Sequence, residues 1–146
     1  MAAFSFRLEQ IRLYRRHLEE QAMRALAGAV TRRDATLARI DDLREAIEEQ
    51  LAMLCRAEKL SAAERWLSRT YEACLKRDLE QSLELLAEQE HDVDQCRVAL
   101  IQKAQDRDLL DTLKEKQSAR FALEERKKEQ QINDETATLR YTPAAL

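Results

Sequence analysis

Leu54-Cys55-Arg56-Ala57-Glu58-Lys59-Leu60-Ser61-Ala62-Ala63-Glu64 is the stretch on which the fold turns. Ser61-Ala62-Ala63-Glu64 matches the capping box, in which the Ser61 hydroxyl accepts from the Glu64 amide and Glu64 reaches back to the Ser61 amide. The same pattern arises by chance inside helices, so position gives it weight. An apolar series runs up to Leu54, and Cys55 to Lys59 carries little of it. The spacing therefore predicts one helix over about 4–58, a turn at about 59–61 and a second helix over about 62–138. One uninterrupted helix is the competing reading.

Upstream of the break, Phe4, Leu8, Ile11, Leu18 and Ala22, then Leu26, Val30, Leu37, Ile40, Ile47, Leu51 and Leu54, recur at alternating steps of three and four. That is the stripe along which two helices coil. Arg15, Arg33 and Arg44 interrupt it, and an arginine stem lies easily along an apolar surface. Two steps of four between Ala22 and Val30 read as a stutter that locally unwinds the coil. Gly28, inside it, reads as a place of close helix approach, with a functional bend as the alternative. Downstream, Tyr71, Leu75, Leu79, Leu83, Leu86, Val93, Cys96, Leu100, Ala104, Leu110 and Leu113 form a second stripe, which Gln89 or Glu90 interrupts. It thins at Phe121 and Leu123 and then fails.

Composition agrees. The chain has 146 residues, with one Gly, one Pro, 36% charged and 5% aromatic side chains. So few turn formers exclude a fold with many reversals. The regular apolar spacing argues against disorder. The expected class is all-α: a two-helix antiparallel coiled-coil hairpin with a longer second helix, forming a single domain over 1–146. No run approaches the ~18 apolar residues of a membrane span, and the start lacks a secretory signal pattern. Cys55, Cys74 and Cys96 are odd in number and lack metal or redox spacing. They read as small buried apolar residues in a cytoplasmic protein.

A turn near residue 60 makes position i face roughly 120 − i. Phe4 would then meet the region of Lys116, leaving the helix after Gln117 unpartnered. About 20 residues at ~1.5 Å each would project by ~30 Å. Charge is uneven too. Residues 1–33 hold seven Arg against three acids, whereas residues 41–95 hold fifteen acids against seven bases. Such a dipolar molecule could be steered end-first into a partner.

A search for chemistry yields little. His17 and His91 lie far apart without a further ligand at metal spacing, and they read as surface residues. A single Gly cannot build a phosphate loop. Acidic pairs such as Asp41-Asp42 and Glu48-Glu49 sit on helices with no pocket to desolvate them. Arg15-Arg16, Arg32-Arg33 and Arg126-Lys127-Lys128 are flanked by acids and lack an aromatic platform, so no nucleic-acid partner is expected. No catalytic residue, metal or cofactor is expected, and the chain reads as a partner-binding protein rather than an enzyme.

Two stretches carry a family resemblance. Phe6-x-Leu8-x-x-Ile11 with Arg15, Glu19-Glu20, Ala22, Leu26 and Ala29 is similar to the opening of the FliJ family of flagellar type III export proteins. Leu113-Lys114-Glu115-Lys116, then Glu124 or Glu125, Glu129-Gln130 and Asp134-Glu135-x-Ala137-x-x-Arg140 resembles its C-terminal signature. The stalk proteins of virulence-type secretion systems are a related alternative, and a generic coiled-coil scaffold or chaperone adaptor is another. The resemblance implies a non-enzymatic, stalk-like coiled coil. It implies as partners an export ATPase hexamer, the cytoplasmic part of an export gate membrane protein, and export chaperones. It also implies a protein monomeric when free, cytoplasmic and peripheral to the inner membrane. Carried over, Leu8, Ile11, Arg15, Lys114, Lys116, Phe121, Glu129, Gln130, Asp134, Glu135 and Arg140 would bind the ATPase. Tyr71, Leu75, Leu79 and Ser82 would meet the gate, with Asp78 where the family pattern calls for a small apolar residue.

Overall fold

The computed structural model describes residues 2–141. Two helices make up the fold, α1 over Glu9–Arg56 and α2 over Ala62–Arg140. Together they form an all-α helical hairpin whose second arm is the longer. Residues 57–61 reverse the chain, which excludes the uninterrupted helix. The capping box closes as its residues dictate. The Glu64 amide donates to Ser61 Oγ at 3.2 Å, and the Ser61 amide donates to Glu64 Oε2 at 3.0 Å. Two otherwise orphaned donors at the helix start are thereby satisfied, a stabilisation of about 1 kcal/mol.

Contacts divide the chain into two compact units. Unit 1 joins Met1–Glu19 with Lys103–Leu146, and unit 2 is Glu20–Gln102. In unit 2 one series of buried and half-buried positions on α1 runs Ala22, Leu26, Ala29, Arg33, Thr36, Ile40, Leu43, Ile47, Gln50 and Leu54, with Gly28, Val30 and Ala46 half-buried beside it. The series on α2 runs Ser68, Glu72, Leu75, Leu79, Ser82, Leu86, Gln89, Val93, Cys96 and Leu100, with Asp78 half-buried beside it. Both series alternate steps of three and four without a fault, so the expected stutter is absent. It arose from assigning the stripe to large apolar residues. Ala29, at 2% exposure, holds the place given to Val30, and buried Thr36 the place given to Leu37. Read antiparallel, rung for rung, the series set Ala29 level with Val93 and Ile40 level with Ser82. Small faces large at each, which lets two helices approach closely.

Gly28 is not where that approach occurs. Only Arg32 Nη1, at 3.5 Å, would meet a Cβ built there, and the residue has no positive φ. An alanine would fit. On α2, Tyr71 and Leu83 are 49% and 39% exposed, so the stripe passes beside them. Buried Ser82 takes a seam position, and Gln89 interrupts the apolar series, its buried Oε1 without a hydrogen-bond partner. Cys55 and Cys74 are exposed and Cys96 half-buried, so only Cys96 approaches the expected role.

In unit 1 the expected helix start near residue 4 moves to Glu9. Phe4, Phe6 and Leu8 alternate every second residue, a period that an extended chain presents on one side and a helix does not. Phe6 is buried, and the Phe4 ring lies 5.7 Å from that of Phe121. The Glu9 amide donates to the Phe6 carbonyl at 3.2 Å, closing the turn that leads into α1.

Candidate functional site

Unit 1 continues the heptad ladder with different side chains. Leu8, just before α1, and Arg12, Arg15 and Glu19 on α1 occupy it, with Lys103, Arg107, Leu110 and Lys114 on α2, and Leu18 and Ala104 are half-buried beside them. Ionic contacts therefore stand beside the apolar packing of Phe6, Leu18 and Leu110 along this stretch. Arg12 donates from Nη2 to Glu9 Oε1 at 2.8 Å and from Nη1 across to Asp111 Oδ1 at 3.1 Å. Lys114 Nζ meets Glu9 Oε2 at 3.0 Å. Arg107 donates from Nη1 to Asp111 Oδ2 at 2.6 Å and from Nε to Glu19, whose side chain is nearly buried. Arg15 donates from Nη1 to the Asp106 carbonyl at 2.8 Å.

Phe4–Phe121, Glu9–Lys114, Arg12–Asp111, Arg15–Asp106 and Glu19–Arg107 have residue numbers that add to between 121 and 126. The expected sum of 120 was thus short by one to six residues, at most about one and two-thirds helical turns. Phe4 meets Phe121 rather than the region of Lys116. Half-buried positions continue to Ser118, Phe121 and Glu125.

The charges feel one another. Hydrogen bonds from Arg12 and then Lys114 lower the Glu9 carboxyl to about 2. Burial pushes the Asp111 carboxyl up, but hydrogen bonds from Arg107 and Arg12 outweigh it and leave it below the ordinary range. Arg12 and Arg107 are held more firmly charged by the same contacts. A depressed carboxylate contributes stability that is present above its unfolded pKa and lost as pH falls through the folded one. For Glu9 that loss falls between the ordinary glutamate value of 4.5 and about 2. In a carbon-detected NMR titration the Glu9 carboxyl should have its midpoint near 2, and Arg12→Ala should return it toward ordinary values. An ordinary midpoint in the intact chain would remove Glu9 from the network.

Beyond Glu125 the second helix changes character. Every described residue from Arg126 to Tyr141 is exposed, with Ile132 at 61% and Leu139 at 86%. Ile132 and Leu139, seven apart, share one side of this helix. Glu129, Gln130, Asp134, Glu135 and Arg140 lie here, all exposed. Lys116 is also exposed, beside an open groove outlined by Gln105, Leu109, Thr112 and Leu113. Leu8, Arg15, Lys114 and Phe121 are half-buried members of the unit's own pairing, and Ile11 is 46% exposed beside them. In unit 2, Leu75 and Ser82 are buried, Leu79 is half-buried, and Tyr71 alone of those four is exposed.

Glu9, Arg12, Glu19, Arg107 and Asp111 were missed as partners by sequence reasoning. The local signal was present, since Glu9 and Arg12 stand three apart and Arg107 and Asp111 four apart. Their joining across two helices needed the true register. Among the described residues no His, Cys, Asp or Glu group could hold a metal ion, and no helix is long and apolar enough to cross a membrane.

The family model described as flagellar FliJ protein matches residues 4–145. No curated protein and no solved structure matches the chain.

Proposed function

Because the chain belongs to the flagellar FliJ family, and hence to the components of the flagellar protein export apparatus, we propose that it is the stalk-like, non-enzymatic partner of the export ATPase hexamer. The family description is flagellar, which takes one side of the choice the residues alone left open. One observation carries the reading further. From Arg126 to its end at Arg140 every residue of the second helix lies exposed. A lone helix of about 15 residues is marginal in water, so its stability is best supplied by a partner. Within a ring of subunits, Ile132 and Leu139 offer apolar contact, and Glu129, Gln130, Asp134, Glu135 and Arg140 offer polar contact around them.

Ile11 and Lys116 add exposed contacts in the same unit, while Leu8, Arg15, Lys114 and Phe121 hold the two arms together there. Binding of this kind is mechanical. An asymmetric helix pair inside a hexamer biases which subunits close, and so promotes turnover without supplying a reacting group. Tyr71 presents the gate contact from unit 2, with Leu75, Leu79 and Ser82 fixing its helix from the seam side. Export chaperones complete the partners, and the protein acts in the cytoplasm at the inner membrane apparatus.

Purified protein mixed with the family's export ATPase tests the reading. The protein alone should release no phosphate from ATP, and the mixture should turn over faster than the ATPase by itself. Unchanged turnover, together with failure to co-sediment with the assembled ring, would dispose of the stalk role.

A further inference from the structure

We propose that unit 1 is an ion-locked clasp, in which residues 2–19 release Lys103–Glu125 while Glu20–Gln102 stays paired. The inference goes beyond the stalk reading and rests on the contrast between the two seams. Unit 2 is closed by Leu26, Ala29, Ile40, Leu75, Val93 and their neighbours, whose burial does not weaken with salt. Unit 1 also covers Phe6, Leu18, Leu110 and the Phe4–Phe121 pair. Along the rest of its seam, however, it sets Arg12, Arg15, Glu19, Lys103, Arg107 and Lys114, and the ion pairs described between the arms fall within it.

The lock is a connected series of ionic contacts. Lys114 meets Glu9, Glu9 meets Arg12, Arg12 meets Asp111, Asp111 meets Arg107, and Arg107 meets Glu19. Lys114–Glu9, Arg12–Asp111 and Arg107–Glu19 cross between the arms. Arg15 adds a fourth crossing to the Asp106 carbonyl. Most of these side chains keep between 15% and 35% of their surface exposed, Glu19 excepted at 9%. Partly exposed pairs gain little net energy and are weakened as added salt shortens the Debye length toward the contact distance itself, about 3 Å at 1 M. Glu9, Arg12, Lys114 and Asp111 also share partners, so breaking one contact weakens the next.

Opening uncovers a defined surface. Leu110 is 7% exposed, and the Phe121 ring is half-covered by Phe4. Released, they join Leu109 and Leu113, already exposed on the same helix, so opening adds Leu110 and Phe121 to the solvent-facing apolar surface of α2.

Native-state amide exchange on the full chain reads the opening directly. Raising NaCl from about 0.05 M to about 1 M should speed exchange of amides in 12–19 and 103–121 roughly tenfold. Amides in 29–47 and 75–96 should not accelerate. The double variant Glu19→Gln, Asp111→Asn keeps side-chain shape and removes two acceptor charges. It should exchange faster than the wild type in unit 1 at low salt and respond less to added salt, the Lys114–Glu9 crossing being the charged pair that remains between the arms. The clasp is overturned if both units respond to salt alike, if unit 1 does not respond, or if the double variant keeps the wild-type salt dependence.

Discussion

A chain ending at Glu125 should keep both paired units and lose its stimulation of the export ATPase. The residues removed, from Arg126 on, are exposed throughout the described stretch, and the ionic contact of Lys128 with Glu125 is local to one helix turn. Removing such residues alters folding stability by no more than about 0.5 kcal/mol. Thermal melting followed by circular dichroism should therefore show the same midpoint at a proportionally smaller helical signal. ATP turnover by the ring should fall to its basal rate, because the free helix is the part that binding would order. A cut after Lys116, the place suggested by the shorter register, confounds the two effects. It also removes Phe121, on which Phe4 packs. Full stimulation by the chain cut at Glu125 would move the ring contact into the paired part of unit 1, toward Ile11 and Lys116.

Ile40→Asp should be strongly damaging to unit 2. Ile40 is 2% exposed and sits at a rung level with buried Ser82. A carboxylate there has no cation across the seam, and an unpaired buried charge costs roughly 3–5 kcal/mol. Against a total stability of about 5–15 kcal/mol, that should lower the melting midpoint by about 10–20 °C. Leu37→Asp is the discriminating companion. By sequence spacing Leu37 belongs to the stripe, yet it is 38% exposed while its neighbour Thr36 is buried. Its substitution should cost under about 1 kcal/mol, since a surface carboxylate stays hydrated. Equal damage from the two would return the seam to the large apolar residues and place Thr36 outside it.

Leu37 and Thr36 also show where sequence reading reaches its limit. A stripe inferred from large apolar side chains assumes that burial follows hydrophobicity. In a two-stranded coil the seam is chosen by geometry, and whatever falls on it is covered. Ala29, Thr36, Ser82 and Gln89 are on it, whereas Ile11, Leu51, Tyr71 and Leu83 stand at its edge. Cβ position along the helix, rather than side-chain size, decides which residues face the other strand. The apparent stutter at Ala22 and the close approach at Gly28 both came from that assumption.

The overhang shows the same division. Unequal arms follow from the position of the Ser61 cap alone, and the failing stripe after Leu123 announces a helix without a mate. The point where pairing stops depends on register, which the cap alone does not set, and on a non-helical start that moves the beginning of α1 to Glu9. The alternation of Phe4, Phe6 and Leu8 was available to signal it.

Sequence by itself determined the two helices, the capped reversal between them, the longer second arm and the family. Each is local or periodic, written in one strand and independent of what lies opposite. Tertiary structure alone decided the register, the identity of the buried residues and the ionic closure of unit 1. Those depend on which side chain of one helix stands level with which of the other. A shift of a single turn exchanges Asp111 for a different neighbour while leaving every helical period unchanged.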